Sequence, residues 1–270
     1  MDWKKTEIIF IIAFLVLDIF LAFMFFNKQL TDDPDKLGTD TLQDHLKTDN
    51  ISYPQSALST KKSQGAIFTA EQTAFVPKDL PNDDNQSFLI EENGSAIYST
   101  LKKPVKANKQ GDSKEMMAFM KSNVYKGDSY KFWRYDKDSN QLIYNQIMKD
   151  EPVLMDQGGQ ITFQLNQQYE VVSYRQTILG KQDDLEDKAE LISSMDALES
   201  VYQHGDLKTD SEIKKVDFGY YTTVQLSSGD VYFPVWCFEI EHKGETNYIL
   251  VNAKDEQVIN MNENRPTTVK

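Results

Sequence analysis

One long apolar segment near the start of the chain constrains the fold more than any other feature. Residues 8–26 read IIFIIAFLVLDIFLAFMFF, and Asp18 is the only charged residue among them. A helix of that length spans roughly 28 Å at ~1.5 Å per residue, which is close to the hydrocarbon thickness of a bilayer. No other segment of the sequence is comparably long and apolar. The sequence therefore predicts one transmembrane helix over residues 8–26.

The flanks of this segment predict its retention and its orientation. It is longer than the 7–15-residue apolar core of a signal peptide, and no small-x-small cleavage motif follows it. Lys4 and Lys5 precede the segment, whereas TDDPD follows it after a single lysine. Because basic residues favour the cytoplasmic side, we expect a single-pass cell-membrane protein. Residues 1–7 would be a cytoplasmic tail, residues 27–37 a polar stalk, and the rest extracellular.

The composition of the exterior part excludes several classes of protein. The chain has one cysteine, Cys237, so it has no disulfide framework. Its formal net charge of −13 argues against nucleic acid and polyanionic wall polymers as ligands. With 40% hydrophobic residues, the chain can stabilise its exterior part with a hydrophobic core.

Beyond the stalk, helical and strand-like segments alternate and predict an α+β fold with antiparallel sheets. A brief helix is expected through Lys47, and two longer ones at 112–123 and 191–202. The apolar faces expected for the two longer helices are Met116, Met117, Phe119 and Met120, and then Leu191, Met195, Leu198 and Tyr202. The charged segment 180–190 is expected to be a linker or the approach to a helix. We therefore predict two exterior α+β subdomains, at 38–180 and 181–270.

Few residues suggest catalysis or metal binding. The histidines are singly placed at His45, His204 and His242. Residues 136–140 have the opening spacing of a calcium loop, but Gln141 and Ile147 replace its glycine and its glutamate, so a hairpin turn is favoured. The sequence contains no nucleophile elbow and no phosphate-binding loop. We expect no catalytic, cofactor-binding or metal-binding residues, and no enzymatic activity.

Asp18 suggests a contact between helices. A carboxylate at mid-bilayer costs about 2.5–3.5 kcal/mol on insertion scales, and a strongly apolar helix can tolerate it when it is protonated. Alternatively, it faces a partner helix and forms a hydrogen bond there. The predicted helix–helix contact is one stripe: Ile11, Phe14, Asp18, Ala22 and Phe25.

Aromatic residues are concentrated in two C-terminal strand-like segments. GYY ends at Tyr221 and FPVW ends at Trp236, which places a proline inside a strand. Such a pattern suggests an aromatic cluster beside an edge or a bulge. Tyr220, Tyr221, Pro234 and Trp236 are therefore predicted to form either a part of the core or a docking patch.

The two ends of the chain resemble one known family. The start, MDWKKTEIIFIIAFLVLDIFL, is similar to that of the YycI (WalI) family, and FGYY, YFPVW and NYILVNAKDEQVI resemble its ending. The resemblance implies a membrane-anchored regulatory protein in a two-component system for cell-wall homeostasis. Its implied partners are YycH and the sensor histidine kinase WalK (YycG), with association largely through transmembrane helices. It also implies an exterior fold similar to the last two domains of YycH, without catalytic residues.

A second hypothesis stays open beside this regulatory one. The exterior part can be a PepSY-like binding or inhibitor module for a peptidase or a wall fragment, and the helix would then be only a tether. Replacement of residues 8–26 by an unrelated anchor distinguishes the two hypotheses. Regulation is lost if the native helix contacts a partner helix, and function is kept if the helix is only a tether.

Overall fold

The structure is a computed structural model that describes residues 14, 15, 17, 18, 38–91, 93–226 and 229–260. The chain divides into two compact units, residues 1–52 and residues 53–270. Within the described residues, no helix has both the length and the apolar character needed to cross a bilayer.

In the first unit, the described residues are helical except at the very end. Residues 14, 15, 17 and 18 are α-helical. Helix α1, Gly38–Thr48, confirms the brief helix predicted there. It ends in a Schellman motif, in which Asn50 has φ +53° and the N–H of Ile51 donates to the carbonyl of Leu46 at 2.8 Å. Leu42 and Leu46 lie one turn apart and are both buried.

Among its described residues, the second unit contains two further α-helices, four short 3-10 helices and the strands, which form two large sheets and one small one. The α-helices are α2, Lys114–Asn123, and α3, Ser194–His204. In chain order the strands are β1 Ser63–Gly65, β2 Phe68–Gln72, β3 Gln86–Ile90, β4 Ile97–Lys106, β5 Tyr130–Asp136, β6 Gln141–Met148, β7 Glu151–Pro152, β8 Gln160–Leu165, β9 Glu170–Gln176, β10 Leu179–Asp184, β11 Ala189–Leu191, β12 Glu212–Leu226, β13 Gly229–His242, β14 Glu245–Asn252 and β15 Val258–Asn260.

The first large sheet has seven strands among the described residues, in the order β3-β4-β9-β8-β6-β5 with β7 paired to β6. Every pair in this sheet is antiparallel. Residues 137–140 form the predicted hairpin turn between β5 and β6, and Asn140 adopts a φ of +54° in it.

Helix α2 covers one face of this sheet. Its N-cap is Ser113, whose hydroxyl accepts a hydrogen bond from the N–H of Met116 at 3.2 Å. Met116, Phe119 and Met120 are buried against apolar residues of the sheet that include Ile97, Leu142, Ile161, Phe163 and Val171. The prediction was wrong for Met117, which is exposed, because the buried stripe of this short helix is narrower than the expected face.

The second large sheet has six strands in the part of the chain that the structure describes. Its order is β10-β2-β13-β14-β15, and β12 pairs along the other side of β13. Helix α3 contacts β14 and β15. A capping box of Ser193 and Asp196 begins this helix, and Gly205 ends it with φ +85°.

Two sequence predictions around this sheet were wrong. The segment expected to be a linker contains β10, which pairs with β2, and β11, which pairs with β1. Strand pairing uses main-chain groups, so charged side chains such as Lys181 and Asp183 can stay exposed on β10. Leu191 belongs to β11 and not to the predicted helix. The residues of α3 that are buried are Ser194, Ala197, Leu198 and Val201.

The two large sheets share an apolar cluster. Trp133 and Ile143 of the first sheet meet residues of the second sheet that include Tyr221, Val235, Cys237 and Leu250. The α+β fold with antiparallel sheets and few helices is thus as predicted. The first sheet uses residues 86–176, whereas the second takes β2 from the early part of the chain and its other strands from residues 179–260. The predicted subdomain limits at 38–180 and 181–270 stay a prediction.

Candidate docking site

The pairing of β12 with β13 brings four large side chains to one face of the second sheet. Tyr220 lies opposite Pro234, and Phe218 lies opposite Trp236. Directly opposed residues share a face, and successive residues of a strand alternate between faces. Phe218, Tyr220, Pro234 and Trp236 therefore lie on one side of the sheet. Sequence reasoning missed Phe218, although the two-residue period from Tyr220 could have indicated it.

Tyr221 points to the opposite face and does not join this group. It is buried in the cluster between the sheets, where its ring meets that of Phe233 edge-on at 6.1 Å. Burial raises the pKa of Tyr221, and the nearby carboxylate of Asp156 raises it further. The predicted set of Tyr220, Tyr221, Pro234 and Trp236 is thus divided between two faces.

Trp236 is half-buried and is fixed by two contacts. Its indole Nε1–H donates to the main-chain oxygen of Ile192 at 3.0 Å. Its ring lies 4.9 Å from that of Phe218, at a tilt of 56°. A tryptophan that is anchored in this way presents a rigid, partly exposed apolar surface.

Tyr220 and Pro234 form the buried base of the same face. The Tyr220 ring meets that of Phe68 edge-on at 4.8 Å, and burial raises the pKa of its hydroxyl. The carbonyl of Tyr220 accepts from the N–H of Leu154 at 2.7 Å, so it points away from β13. Pro234 has no N–H, and its place opposite Tyr220 therefore costs no hydrogen bond to β12.

A groove of about 570 Å³ opens on this face of the sheet, beside Phe218, Tyr220 and Trp236. We define the aromatic groove by Phe218, Tyr220 and Trp236 at its base and by three lysines around it: Lys61, Lys149 and Lys188. These lysines come from distant parts of the sequence, and no local pattern indicated them.

Two acidic residues also line the aromatic groove, so its charge is mixed. They are Asp150 and Glu151, and burial raises the pKa of Glu151. Lys149 forms an ion pair with Asp184 and lies 5.5 Å from the Phe68 ring. Lys61 and Lys188 are exposed.

The chemistry of the aromatic groove suits binding. The residues that line it include neither histidine nor cysteine. Across the described ranges, no group of three or more His, Cys, Asp or Glu side chains is arranged to hold a metal ion. Trp and Tyr are enriched at the centres of protein interfaces.

The predicted helix–helix contact lies mostly outside the described residues. Of its five members, Phe14 and Asp18 are described and are helical, and Phe14 is exposed. Ile11, Ala22 and Phe25 fall outside the described residues.

Comparison with known families gives one match that covers most of the chain. A family model described as YycI protein matches residues 33–254. A comparison with curated protein sequences finds no significant match.

Three solved structures show a more distant similarity. A crystal structure of an uncharacterized protein from Eubacterium rectale ATCC 33656 is 10% identical, with a TM-score of 0.47 over 79% of this chain and 91% of that one. YycH from Bacillus subtilis is 15% identical, with a TM-score of 0.41 over 74% of this chain and 54% of that one. The Bacillus megaterium YpeB C-terminal domain is 13% identical, with a TM-score of 0.37 over 81% and 96%. With every TM-score below 0.5, none of the three assigns a role to this chain.

Proposed function

The chain belongs to the YycI family, and on this premise we propose that it is a non-enzymatic regulator of an essential cell-wall sensor kinase. In this proposal it forms a membrane complex with the kinase, WalK, and with a YycH-like protein. The observation that carries the proposal is the family match over residues 33–254.

The membrane segment supplies the first contact of the proposed complex. Residues 8–26 span the cell membrane, with residues 1–7 in the cytoplasm and the C-terminal part extracellular. Asp18 gains nothing from lipid, so a hydroxyl, amide or basic group of a partner helix stabilises it, by about 0.5–2 kcal/mol. Ala22, one turn away, lets the two backbones approach closely.

The aromatic groove supplies the second contact, with the exterior part of the YycH-like protein. Trp236 and Phe218 give a rigid apolar base, and Lys61 and Lys188 stand exposed at its rim. In a chain with a net charge of −13, these lysines favour an acidic partner surface at this place.

A first experiment tests the membrane contact in the full-length protein. Asp18→Leu should insert at least as well as the parent, because it removes the costly carboxylate. It should nevertheless reduce co-purification of the kinase and the YycH-like protein in mild detergent several-fold. Phe20→Leu, on the opposite side of the predicted helix, is the control and should change nothing. Equal co-purification of the two variants would mean that Asp18 is only tolerated.

A second experiment tests the exterior contact. The double variant Lys61→Glu, Lys188→Glu reverses the charge at the rim and should weaken binding of the YycH-like protein about tenfold. The control, Lys137→Glu, also reverses the charge of an exposed lysine, but in the β5–β6 turn. If regulation survives these changes and the replacement of residues 8–26, the tethered inhibitor module becomes the better description.

A further inference from the structure

A second groove lies on the first large sheet, on the face that α2 does not cover and beside the place where Trp133 and Ile143 pack against the second sheet. This groove has a volume of about 820 Å³, and its lining includes Tyr98, Arg134, Ile143, Thr162 and Arg175. We call it the arginine groove. It shares no lining residue with the aromatic groove.

The strand register places these five residues in one row across the sheet. Arg134 lies opposite Ile143, which lies opposite Thr162 on the next strand. Thr162 lies opposite Arg175, and Arg175 lies opposite Tyr98. Three strand spacings separate Arg134 from Arg175, which places their main chains roughly 14 Å apart. The two guanidinium groups therefore stand at the two sides of one groove, on the same face.

The charge of the arginine groove is opposite to that of the chain. The chain has a net charge of −13 and only three arginines, and two of these, Arg134 and Arg175, line this groove. None of the described residues that line it is Asp, Glu or Lys. The lining therefore offers an anionic ligand two cationic side chains, although each stands near one carboxylate, Arg134 at 3.9 Å from Asp136 and Arg175 at 3.8 Å from Glu91.

Both guanidinium groups retain donors for such a ligand. Arg175 donates from Nε to the hydroxyl of Tyr98 at 3.2 Å, while its nearest carboxylate, Glu91, is 3.8 Å away. Arg134 lies 5.0 Å from the Trp133 ring and 3.9 Å from the Asp136 carboxylate. Its buried Nε has no hydrogen-bond partner among the described residues. A guanidinium has five N–H donors and binds a carboxylate best through two of them, and neither arginine makes such a pair here.

A second polar row lies beside the arginines. Gln141 lies opposite Gln164, Gln164 opposite Ser173, and Ser173 opposite Thr100. The side-chain Nε2 of Gln141 donates a hydrogen bond to Oε1 of Gln164 at 3.1 Å. Amide and hydroxyl groups of this kind can both donate to and accept from the main chain of a bound peptide.

We propose that the arginine groove binds an extended acidic peptide segment that runs across the strands. Four residues of extended chain cover about 14 Å, and side chains an even number apart point to the same side. Carboxylates at positions i and i+4 of the segment pair with Arg175 and Arg134, and the glutamine row binds its main chain. This binding site goes beyond the proposed kinase regulation and does not depend on it.

The experiment measures binding of short synthetic peptides to the full-length protein in detergent. The probe is the acetylated and amidated peptide Glu-Ser-Ser-Ser-Glu, and the reference peptide has glutamine in place of both glutamates. We expect saturable binding of the probe, at least tenfold tighter than the reference, that weakens with added salt. A peptide with glutamates only three positions apart should bind less tightly, because its two carboxylates point to opposite sides.

Variants of the protein locate the binding site. Arg175→Gln should weaken probe binding at least tenfold without lowering the melting temperature, because Arg175 is partly exposed. Arg134→Lys keeps the charge while it loses the bidentate geometry, and should weaken binding less. The control, Lys121→Gln, removes one positive charge from the exposed side of α2, which covers the other face of the sheet, and should change nothing.

Three results would overturn the proposal. The first is a probe that does not bind at millimolar concentration. The second is probe binding that Arg175→Gln leaves unchanged. The third is stronger binding of an acidic oligosaccharide such as tetragalacturonate than of the probe, which would assign the groove to another class of ligand.

Discussion

The side-chain amide of Gln146 pairs with both main-chain groups of Leu179. Its oxygen accepts from the N–H of Leu179 at 2.7 Å, and its Nε2 donates to the carbonyl of Leu179 at 2.9 Å. Gln146 belongs to β6 of the first sheet, and Leu179 begins β10 of the second. Both residues are buried, so a single amide satisfies two main-chain groups where the two sheets meet.

Gln146→Leu should therefore destabilise the protein by about 2–4 kcal/mol. The leucine fills similar space but leaves the N–H and the carbonyl of Leu179 buried without partners, and each such group costs about 1–3 kcal/mol. Denaturant unfolding measures the change. Gln168→Leu, in the exposed turn between β8 and β9, is the control and should stay within about 0.5 kcal/mol. Similar midpoints for the two variants would contradict this account of the contact.

Gly219→Ala should disrupt the packing beside the aromatic groove. A Cβ at this position would lie 2.4 Å from the carbonyl oxygen of Pro152 and 2.8 Å from Cγ of Leu154. The main chain would have to move, which should cost about 1–3 kcal/mol. Lys214→Ala on the same strand removes only exposed ion pairs and should have little effect on the thermal midpoint. An unchanged midpoint for Gly219→Ala would show that this close approach can relax.

Trp236 should contribute to folding through both its ring and its N–H. Trp236→Phe keeps an aromatic ring but removes the hydrogen bond to Ile192, at a cost of about 1 kcal/mol. Trp236→Ala also removes the contact with Phe218 and should cost about 3 kcal/mol. The midpoint of thermal unfolding should therefore be highest for the parent, lower for the phenylalanine variant and lowest for the alanine variant. If both variants keep full stability but lose the YycH-like partner, Trp236 serves docking alone.

Glu239→Gln should stabilise the protein at neutral pH and have little effect in acid. Burial raises the pKa of the Glu239 carboxyl, and Asp217 raises it further, against the opposing charges of Lys215 and Arg134. The folded state thus keeps this proton to a higher pH than the unfolded state does. Stability consequently falls as the pH rises from the ordinary glutamate value through the pKa of the folded protein.

The glutamine variant does not titrate, so its stability does not fall in this way. Its free energy of unfolding should exceed that of the parent above the pKa of Glu239 in the folded protein, and the two should be equal below about pH 4. Unfolding free energies measured from pH 4 to pH 8 would show it. Glu245→Gln, at the exposed start of β14, is the matched control. An advantage that is equal at every pH would rule out titration of Glu239 as its cause.

Local signals in the sequence predicted the local elements well. Met116 and Phe119 recur at helical spacing, and Gly205 ends the α3 helix in the conformation that glycine adopts most easily. The turn at 136–140 was also predictable, because an Asp-Lys-Asp-Ser-Asn segment between two apolar strands favours a hairpin. The same reasoning was wrong for residues 180–190, because their charged side chains show no apolar period that would indicate β10 and β11.

The candidate site was predictable only in part. The sequence indicated Tyr220 and Trp236, but it could not show that Tyr221 faces the other way and contributes to the core. It also could not bring Lys61, Lys149 and Lys188 to one groove, because they are separated by many residues and by several strands. Such groupings depend on long-range pairing, which leaves no periodic trace in any single segment.

The sequence by itself determined the apolar segment at 8–26, the acidic character, the single cysteine and the α+β class, because each follows from composition or from the spacing of neighbouring residues. Only the tertiary structure decided that β2 pairs with β10 and β13, and that Arg134 and Arg175 share one row. The physical reason is that strand register is set by main-chain hydrogen bonds between distant segments together with the burial of one whole face. A side chain's neighbours across a sheet are therefore a property of the folded chain and not of its local sequence.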